Sequence, residues 1–513
     1  MSLKNRAKSS WLQGFPLHPF LFAVYPILAL LAVNISEVDI SSAYRPLVVA
    51  LGTVSLFALF FRLIHLDWKT AAIALTLVLI LFYSYGHIYL LLKGVNFNGL
   101  YLFRHRTLIP IWLGTGALSL WQLWRNRINP ATANYTLNVV GLFLLVLPSF
   151  QLIFYFLQSS TAQVEAQQNT RALDLNVRDE PPDIYYIILD GYSREDVLQD
   201  QFGYDNSGFL DTLQDLGFYV AECGQSNYAQ TQISLASSLN FDYIDALSDR
   251  FTPGSDDRSG LDTLIKHSAV RASLESAGYE TVAFATGFVL SEMEDADYYL
   301  APQLDLGQLN EFEYLLAETT LARLIQDSNR LGLPDSGTEL YRERTLFALD
   351  KLDKLSYIKS PKFVFVHLIV PHPPYVFGPT GGLIPPKEAG TTRSEINELR
   401  YLDQTTYISN RMQEIVPKII ENSAMPPIVV IQSDHGPTIP GSPQARMKNL
   451  NAYYLPGGQA PLYPTITPVN TFRIIFNTYF GQNLPLLEDV SLYSSYEDPF
   501  RFRPIPNSCA ENE

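Results

Sequence analysis

The chain has 513 residues, of which 47% are hydrophobic and only 17% are charged. Residues 1–160 contain 11 Lys and Arg against 3 Asp and Glu, a net charge of +8, whereas residues 161–513 have a net charge of −23. This contrast excludes a single soluble globule, and the acidic part would repel a nucleic acid backbone, so no nucleic acid partner is expected.

Five apolar runs in the first part are predicted to form a helical transmembrane domain over residues 1–157. A membrane-spanning helix needs about 20 predominantly apolar residues. None of the runs contains Asp, Glu or Lys, and they lie at about 17–35, 44–64, 70–92, 107–124 and 135–157.

The charges of the loops predict the orientation of these helices. Four cations lie on one side, and seven lie on the other, namely Lys4, Arg6, Lys8, Arg62, Lys69, Arg125 and Arg127. The positive-inside rule then predicts a cytoplasmic N-terminus. Five crossings of a plasma (inner) membrane place the rest of the chain in the periplasm or outside the cell. The first run lacks a small-residue cleavage site, so we expect it to remain as an anchor.

Residues 158–182 are rich in Gln, Ser, Thr, Ala and Asn and end in Asp-Glu-Pro-Pro, which predicts a linker. The chain has two cysteines, Cys223 and Cys509. A disulfide between them and two unpaired buried thiols are both consistent with the sequence.

Residues 183–513 are predicted to form one extracytoplasmic α/β domain. Short apolar strands at 184–189, 217–220, 281–285, 362–370 and 428–432 alternate with helices at 206–216, 231–239, 342–355 and 397–421. Nearly continuous apolar strands separated by helices indicate a mostly parallel sheet with helices on both faces. Ligand sites in such sheets lie at the carboxyl ends of the strands.

Polar side chains follow three of these strands and begin one helix. Asp190 follows the first strand, His372 follows the strand at 362, and Asp434 and His435 follow the strand at 428, while Thr231 begins a helix. Carboxylate, hydroxyl and imidazole groups are suitable ligands for Mn²⁺, Mg²⁺ or Zn²⁺. We therefore expect a divalent metal site at this edge of the sheet.

Each residue also has a structural interpretation. Asp190 precedes Gly191 and could simply form a turn, and Thr231 could be a helix N-cap. His372 lies in a Pro-rich loop and could be a surface residue, and His367 within the strand is typical of a hydrogen-bonded core histidine. The order of the residues in one fold favours a common site.

Asp190 at a strand end, Thr231 at a helix start, His372 and then Asp434-His435-Gly436 stand in an order that resembles the alkaline phosphatase/sulfatase superfamily. Residues 231–240 (TQISLASSLN) resemble its nucleophile helix. The five predicted spans with an external domain resemble the membrane-anchored branch of lipoteichoic acid synthases and lipid A phosphoethanolamine transferases. The resemblance implies a sulfatase-like fold, a threonine nucleophile and a metal bound by Asp190, Thr231, Asp434 and His435, with His372 near the substrate phosphate.

The sequence departs from parts of that family pattern. A sulfatase would need Cys or Ser at position 231, followed by Pro and Arg, but the chain has Thr231-Gln232-Ile233. No histidine follows His435, although two-metal relatives supply one there. A single metal is therefore favoured, and Asp190 stands where the lipoteichoic acid synthase branch commonly has Glu.

The site residues and the resemblance together predict a metal-dependent transferase, with Thr231 and His372 as catalytic residues. Its donor would be a phospholipid headgroup of phosphoglycerol or phosphoethanolamine type, and its acceptor a glycan or lipid of the cell envelope. Asn227 and Tyr228, which precede Thr231, are expected to bind the headgroup. A sulfatase-like phosphodiesterase or phosphatase is an alternative with the same ligands, and a non-catalytic binding module on a membrane anchor is a second alternative.

Overall fold

The computed structural model describes residues 14–35, 37–63, 67–97, 100–125, 127–177, 180–303, 309–328, 336–384, 393–457 and 460–509. The chain divides into two compact units. Unit 1 comprises Met1–Leu157 and Asp305–Leu340, and unit 2 comprises Gln158–Leu304 and Tyr341–Glu513. The cations Lys4, Arg6 and Lys8, which contribute to the predicted orientation, lie outside the described residues.

All five predicted apolar runs are helical. The helices are α1 (His18–Asn34), α2 (Tyr44–Leu63), α3 (Trp68–Leu92), α4 (His105–Trp124) and α5 (Pro130–Asn169). Within the described ranges, three helical segments are long and apolar enough to cross a membrane, namely Ile40–Leu63, Trp68–Leu92 and Pro130–Asn169. The five-span count therefore stays a prediction. A short hairpin, β1 (Asn96–Phe97) and β2 (Leu100–Tyr101), lies between α3 and α4.

Unit 1 also contains a segment that is distant in sequence from its other helices. Helices α12 (Glu311–Thr319) and α13 (Arg323–Ser328) belong to it. Phe312 is fully buried beside Ile27 and Leu31 of α1. This segment lies inside the range predicted for the catalytic domain, 183–513, so that range contains an insertion that packs with unit 1.

The main feature of unit 2 is a seven-stranded, mostly parallel sheet, which confirms the predicted fold class. The strands β3, β5, β6, β7 and β8 are parallel, and β4 and β9 are antiparallel to their neighbours. In space the order is β4-β9-β8-β3-β7-β5-β6. The strands are β3 (Ile184–Leu189), β4 (Tyr219–Val220), β5 (Glu280–Phe284), β6 (Tyr298–Leu300), β7 (Lys362–Leu368), β8 (Ile428–Gln432) and β9 (Asn451–Tyr454).

Both faces of this sheet are buried, as the continuous apolar strands predict. Tyr186 and Ile188 of β3 belong to the core on one face, whereas Ile187 and Leu189 belong to the core on the other. The helices of unit 2 that follow α5 are α6 (Glu195–Phe202), α7 (Ser207–Asp215), α8 (Thr231–Leu239), α9 (Ile244–Leu247), α10 (Leu261–Lys266), α11 (Ala269–Ser276), α14 (Ser336–Lys351), α15 (Arg393–Asn422), α16 (Pro443–Met447) and α17 (Pro468–Tyr479). The first core includes residues of α8 and α17, and the second includes residues of α7 and α15.

A disulfide joins Cys223 to Cys509, whose Cα atoms are 5.5 Å apart. The C-terminal pairing of β10 (Leu492–Tyr493) with β11 (Arg503–Pro504) precedes the second cysteine. The sequence alone had left the pairing of the cysteines open, because their separation of 286 residues gives no guide to their distance in space.

Candidate active site

The carboxyl ends of two adjacent strands, β3 and β8, bring two carboxylates and an imidazole together. Strand β3 lies between β7 and β8 in the sheet, so residues that follow β3 and β8 share one edge. Asp190, Asp434 and His435 each offer one ligand atom, and these atoms all lie within 4.8 Å of one another. All three residues are buried. We call them the acid cluster.

Two glycines allow the backbone to form this arrangement. Gly191 has φ +75°, a conformation that costs glycine little, and its N–H donates to Asp434 Oδ1 at 3.1 Å. At Gly436, a Cβ atom would lie 2.2 Å from the carbonyl oxygen of Ala445. The absence of a side chain there lets the loop around Ala445 pack against the residue that follows His435.

Thr231 lies at the acid cluster. It is the first residue of α8, and Gln230 is the N-cap. The Thr231 hydroxyl oxygen is 3.0 Å from His435 Nε2. Thr231 is therefore not the N-cap that its sequence position also allowed, and its side chain is directed to the cluster.

Hydrogen bonds indicate the protonation state of His435. Its Nδ1 lies 3.0 Å from the carbonyl oxygen of Gly436, which can only accept, so the proton is assigned to Nδ1. Burial, followed by the positive charge of Arg446, lowers the pKa of His435 well below its ordinary value. The imidazole is therefore neutral, which is the form that binds metals. Its Nε2 lone pair faces Arg446 Nη2 at 2.8 Å, and a metal ion bound at Nε2 would take the place of that contact.

The two carboxylates of the acid cluster are incompletely neutralised by the protein. Asp190 Oδ1 and Asp434 Oδ2 are buried and have no hydrogen-bond partner among the described residues. Asp434 Oδ2 lies 3.1 Å from His435 Nε2, and with the proton on Nδ1 both atoms are acceptors. Burial and the charge of Asp190 raise the pKa of Asp434 to about 6. For Asp190 burial also opposes ionisation, but nearby histidines, first His372, outweigh it and lower the pKa.

Acceptor atoms that face one another in a buried site are unfavourable unless a proton or a cation lies between them. Two carboxylates and one neutral imidazole are ligands that a divalent cation accepts. The donor set and its unpartnered atoms therefore fit a metal ion, and the hydroxyl of Thr231 is close enough to join them.

His372 lies beside the cluster. Its backbone N–H donates to the carbonyl oxygen of Asp190 at 3.1 Å, and its ring centroid is 6.3 Å from that of His435. Its Nδ1 donates to the carbonyl oxygen of Pro373 at 2.6 Å, and the side chain is half-buried. The structure thus places His372 next to the acid cluster but not among its closest atoms.

Asn227 and Tyr228, which are predicted to bind the headgroup, are buried and hydrogen-bonded to other residues of unit 2. The Asn227 amide donates to Thr467 Oγ1 and accepts from the backbone N–H of Val469. The Tyr228 hydroxyl accepts from the backbone N–H of Ile244. Both residues are about 1% exposed. Their role in headgroup binding stays a prediction.

The sequence analysis missed two residues that contact the cluster. His367 Nε2 is buried without a hydrogen-bond partner among the described residues and lies 3.4 Å from Asp190 Oδ2. Its Nδ1 is 2.8 Å from Ser291 Oγ. The available signal was a histidine near the carboxyl end of an otherwise apolar strand. Its pattern is the same as that of a core histidine.

The second missed residue is Arg446, which is held against the cluster by backbone carbonyls. Its Nε donates to Ala229 at 2.8 Å, its Nη1 donates to Gly436 at 2.9 Å, and its Nη2 lies 2.8 Å from His435 Nε2. The sequence analysis assigns it no role. Only the loop packing beside Gly436 distinguishes it.

No protein-family model and no curated protein matches the chain. Solved structures do match. The zinc complex of the C-terminal periplasmic domain of EcEptC from Escherichia coli is 11% identical, covering 65% of this chain and 96% of that one, with a TM-score of 0.40. Lipooligosaccharide phosphoethanolamine transferase A from Neisseria meningitidis is 11% identical, covering 87% and 88%, with a TM-score of 0.35.

A phosphonate monoester hydrolase of Agrobacterium radiobacter is also 11% identical, covering 61% of this chain and 80% of that one, with a TM-score of 0.38. These proteins come from the enzyme classes that the sequence motifs resemble. At such identities and TM-scores the likeness establishes no substrate or reaction for this chain, and its function has to be argued from its own site.

Proposed function

We propose that the chain is a membrane-anchored, metal-dependent enzyme that transfers a phosphoryl group through Thr231. One observation carries this proposal: a hydroxyl at a helix start lies 3.0 Å from an imidazole of a buried cluster in which two carboxylate oxygens lack partners. Unpartnered buried acceptors destabilise a fold, so a non-catalytic binding module would have no use for them.

Asp190, Asp434, His435 and Thr231 would hold one divalent ion, of the Mn²⁺, Mg²⁺ or Zn²⁺ type. Such an ion supplies Lewis-acid stabilisation of oxygen charge and lowers the pKa of a bound hydroxyl. A single ion is favoured because the described residues form one such group of ligands.

The protein groups around Thr231 are arranged for an anionic substrate. Helix α8 begins at Thr231, so its first backbone N–H groups and the positive end of its dipole face a phosphate placed there. Arg446 adds a positive charge beside His435. The half-buried His372 lies beside the cluster, and its doubly protonated form would give a proton to a leaving oxygen.

The proposed reaction has two steps. The Thr231 hydroxyl gives up its proton and its oxygen forms a bond to phosphorus, while the bond between phosphorus and the diacylglycerol oxygen breaks; the departing oxygen takes up one proton, so diacylglycerol leaves and the protons balance. The hydroxyl of an envelope glycan or lipid then attacks phospho-Thr231, forms the new ester and returns the threonine. Water in place of that hydroxyl gives a hydrolase with the same ligands.

A phospholipid headgroup of phosphoglycerol or phosphoethanolamine type is the proposed donor. Three helical segments that can cross a membrane precede the sheet, and an anchor raises the effective concentration of a lipid donor at the site. The disulfide between Cys223 and Cys509 suits an oxidising compartment outside the cytoplasm.

The test uses the full chain in liposomes with headgroup-labelled phosphatidylglycerol or phosphatidylethanolamine and added Mn²⁺ or Zn²⁺. We expect metal-dependent release of diacylglycerol and, after rapid acid quenching, a modified peptide that contains Thr231. Label on an added envelope acceptor identifies a transferase, and free headgroup phosphate identifies a hydrolase. Modification at another residue, or turnover that is independent of metal, would overturn the proposal.

A further inference from the structure

A second polar site lies in unit 1, at one end of helices α3 and α4. Its cations are Lys93, Arg104, Arg106 and Arg323, and Tyr89 and His105 complete its lining together with Asp327. The pocket is open to solvent on one side, and its volume of about 640 Å³ is within the size range of small-molecule sites. We call this the cationic pocket.

The floor of the pocket is a fixed arrangement of aromatic and polar side chains. The His105 ring stacks on Tyr89, with centroids 3.9 Å apart and planes 8° from parallel. His105 Nδ1 is 2.8 Å from the Tyr85 hydroxyl, and its Nε2 is 2.8 Å from Asp327 Oδ2. Arg323 lies over the Tyr89 ring, 5.3 Å from its centroid, and is 6% exposed.

One wall comes from the inserted segment, which is closely fastened to helix α3. The backbone N–H of Leu321 donates to the carbonyl oxygen of Phe82 at 2.8 Å. A Cβ atom at Gly86 would lie 2.3 Å from the carbonyl carbon of Thr319, so only glycine allows this approach. Arg323 and Asp327 are therefore held against the floor by backbone packing.

The charge of the pocket is unbalanced. Asp327 is its one acidic lining residue, and this carboxylate already bridges His105 and Arg323, with Nε of Arg323 at 3.2 Å. Lys93, Arg104 and Arg106 are exposed, and in the part of the chain that the structure describes none of them pairs with a carboxylate. Arg323 also pairs with Glu318 at 3.2 Å, so the charges without a counter-charge are those of Lys93, Arg104 and Arg106. Cations that line one pocket without counter-charges favour an anionic ligand.

The position of the pocket narrows the ligand. Helix α3 is one of the segments that can cross a membrane, and Lys93 directly follows its last residue. Arg104 and Arg106 flank the first residue of α4. Cations at the end of a span reach the level of lipid headgroups, and basic pockets between membrane helices bind anionic lipid headgroups. Guanidinium groups bind phosphate oxygens in pairs.

We propose that the cationic pocket binds a phosphate group, presented by an anionic phospholipid or as free phosphate. Snorkelling of isolated cations would explain Lys93, Arg104 and Arg106 singly. It does not explain why a buried arginine from the inserted segment joins them over an aromatic floor. The proposal is independent of the function of the acid cluster.

The experiment measures binding rather than turnover. The full chain with Thr231→Ala, in micelles of zwitterionic detergent with EDTA, is titrated with short-chain phosphatidylglycerol, short-chain phosphatidylcholine and inorganic phosphate. EDTA removes divalent ions from the acid cluster, and the Thr231→Ala substitution removes its proposed nucleophile, so no turnover accompanies the titration. The variant Lys93→Gln/Arg106→Gln removes two exposed cations, and Arg62→Gln/Lys69→Gln is the matched control, because it removes two cations at the other end of α3 and the end of α2.

We expect binding of phosphatidylglycerol in preference to phosphatidylcholine, and a loss of roughly tenfold or more in the Lys93/Arg106 variant against less than about twofold in the control. If inorganic phosphate fails to compete with phosphatidylglycerol, the bound phosphate group comes from the lipid. If inorganic phosphate binds and the Lys93→Gln/Arg106→Gln variant abolishes this binding, free phosphate is a ligand. The proposal is overturned if the protein with an unchanged pocket binds neither phosphatidylglycerol nor phosphate. It is also overturned if phosphatidylcholine binds as well as phosphatidylglycerol, or if the pocket variant and the control variant lose the same affinity.

Discussion

The two ends of strand β3 carry buried aspartates with opposite environments. Asp183 precedes the strand, and Asp190 follows it. Lys362 Nζ donates to Asp183 Oδ2 at 2.6 Å, the backbone N–H of Lys362 donates to Oδ1, and Ser360 donates as well. Asp190 instead lies beside another carboxylate and has an oxygen without a partner among the described residues.

This comparison separates a structural carboxylate from a functional one. Burial costs both ions their hydration, and of the two aspartates only Asp183 forms a direct ion pair with a lysine, which offsets this cost. The fold thus provides full compensation where the strand begins and leaves it incomplete where the strand ends. We attribute the incompleteness to the metal and the substrate that the site is proposed to bind.

The largest expected effect lies at the end of strand β3 that carries Asp190. Thr231→Ala removes the proposed nucleophile and should reduce phospholipid turnover by roughly 1,000-fold or more, because a nucleophile acts as a unit with its activating groups. Thr231→Ser retains the hydroxyl and should retain part of the rate. The measurement is release of diacylglycerol by the full chain in liposomes.

The matched control is Thr212→Ala, which removes a half-buried threonine hydroxyl on α7 that donates to Gly208 of its own helix. It should leave turnover within about twofold, as expected of a surface position. Activity of Thr231→Ala equal to that of Thr212→Ala would remove the proposed mechanism.

At the end of strand β3 that carries Asp183, we expect a substitution to lower stability without lowering turnover. Lys362→Met leaves Asp183 buried and unpaired, which should lower the free energy of unfolding by about 3–5 kcal/mol. The measurement is chemical denaturation of the full chain in detergent. Adding Asp183→Asn should recover part of the loss, and the turnover per folded molecule should stay unchanged. A large fall in that turnover would mean that the two ends are not separate.

The disulfide belongs to neither end of strand β3. Its loss should lower the free energy of unfolding by about as much as the loss of the Lys362 ion pair. Cys509→Ser removes the cross-link to Cys223 and should cost about 2–5 kcal/mol, since the link constrains a long stretch of unfolded chain. The same denaturation experiment with and without reductant checks this result. Reductant should destabilise the wild type and leave the variant unaffected. Equal sensitivity of both proteins would contradict the pairing.

The smallest expected effect sharpens the comparison. In the metal-free protein, Asp434→Asn removes one of two facing carboxylates, so its free energy of unfolding should change by less than about 1 kcal/mol or rise. In the presence of metal the wild type should be the more stable protein, because a ligand that binds only the folded state stabilises it. Strong destabilisation of the metal-free variant would show that Asp434 is a structural residue like Asp183.

The residues predicted for the site follow from rules that operate on sequence. Asp190 and Asp434 are predicted because each follows a continuous apolar strand, and parallel strands end at one edge. Thr231 is predicted because a helix begins there. His367 was missed because a side chain inside a strand gives no sign of which neighbours its ring will face, and Arg446 because its position depends on loop packing near Gly436.

The contacts of Asn227 could not be predicted from its place in the sequence. Its backbone leads into Thr231, but its side chain is turned towards Thr467 and Val469, which are distant in sequence. The inserted helices α12 and α13 were not distinguished from the α/β pattern, because nothing in a short amphipathic segment indicates which unit it will pack against.

The central claim is that the acid cluster binds one divalent ion, and the most direct test is the metal content of the full-length protein. The protein is loaded with Mn²⁺ or Zn²⁺ and dialysed exhaustively, and its metal is measured by elemental mass spectrometry. The account predicts about one ion per chain in the wild type and in Lys362→Met, and a small fraction of that in Asp434→Asn. Equal metal content in wild type and Asp434→Asn, or none in either, would contradict it.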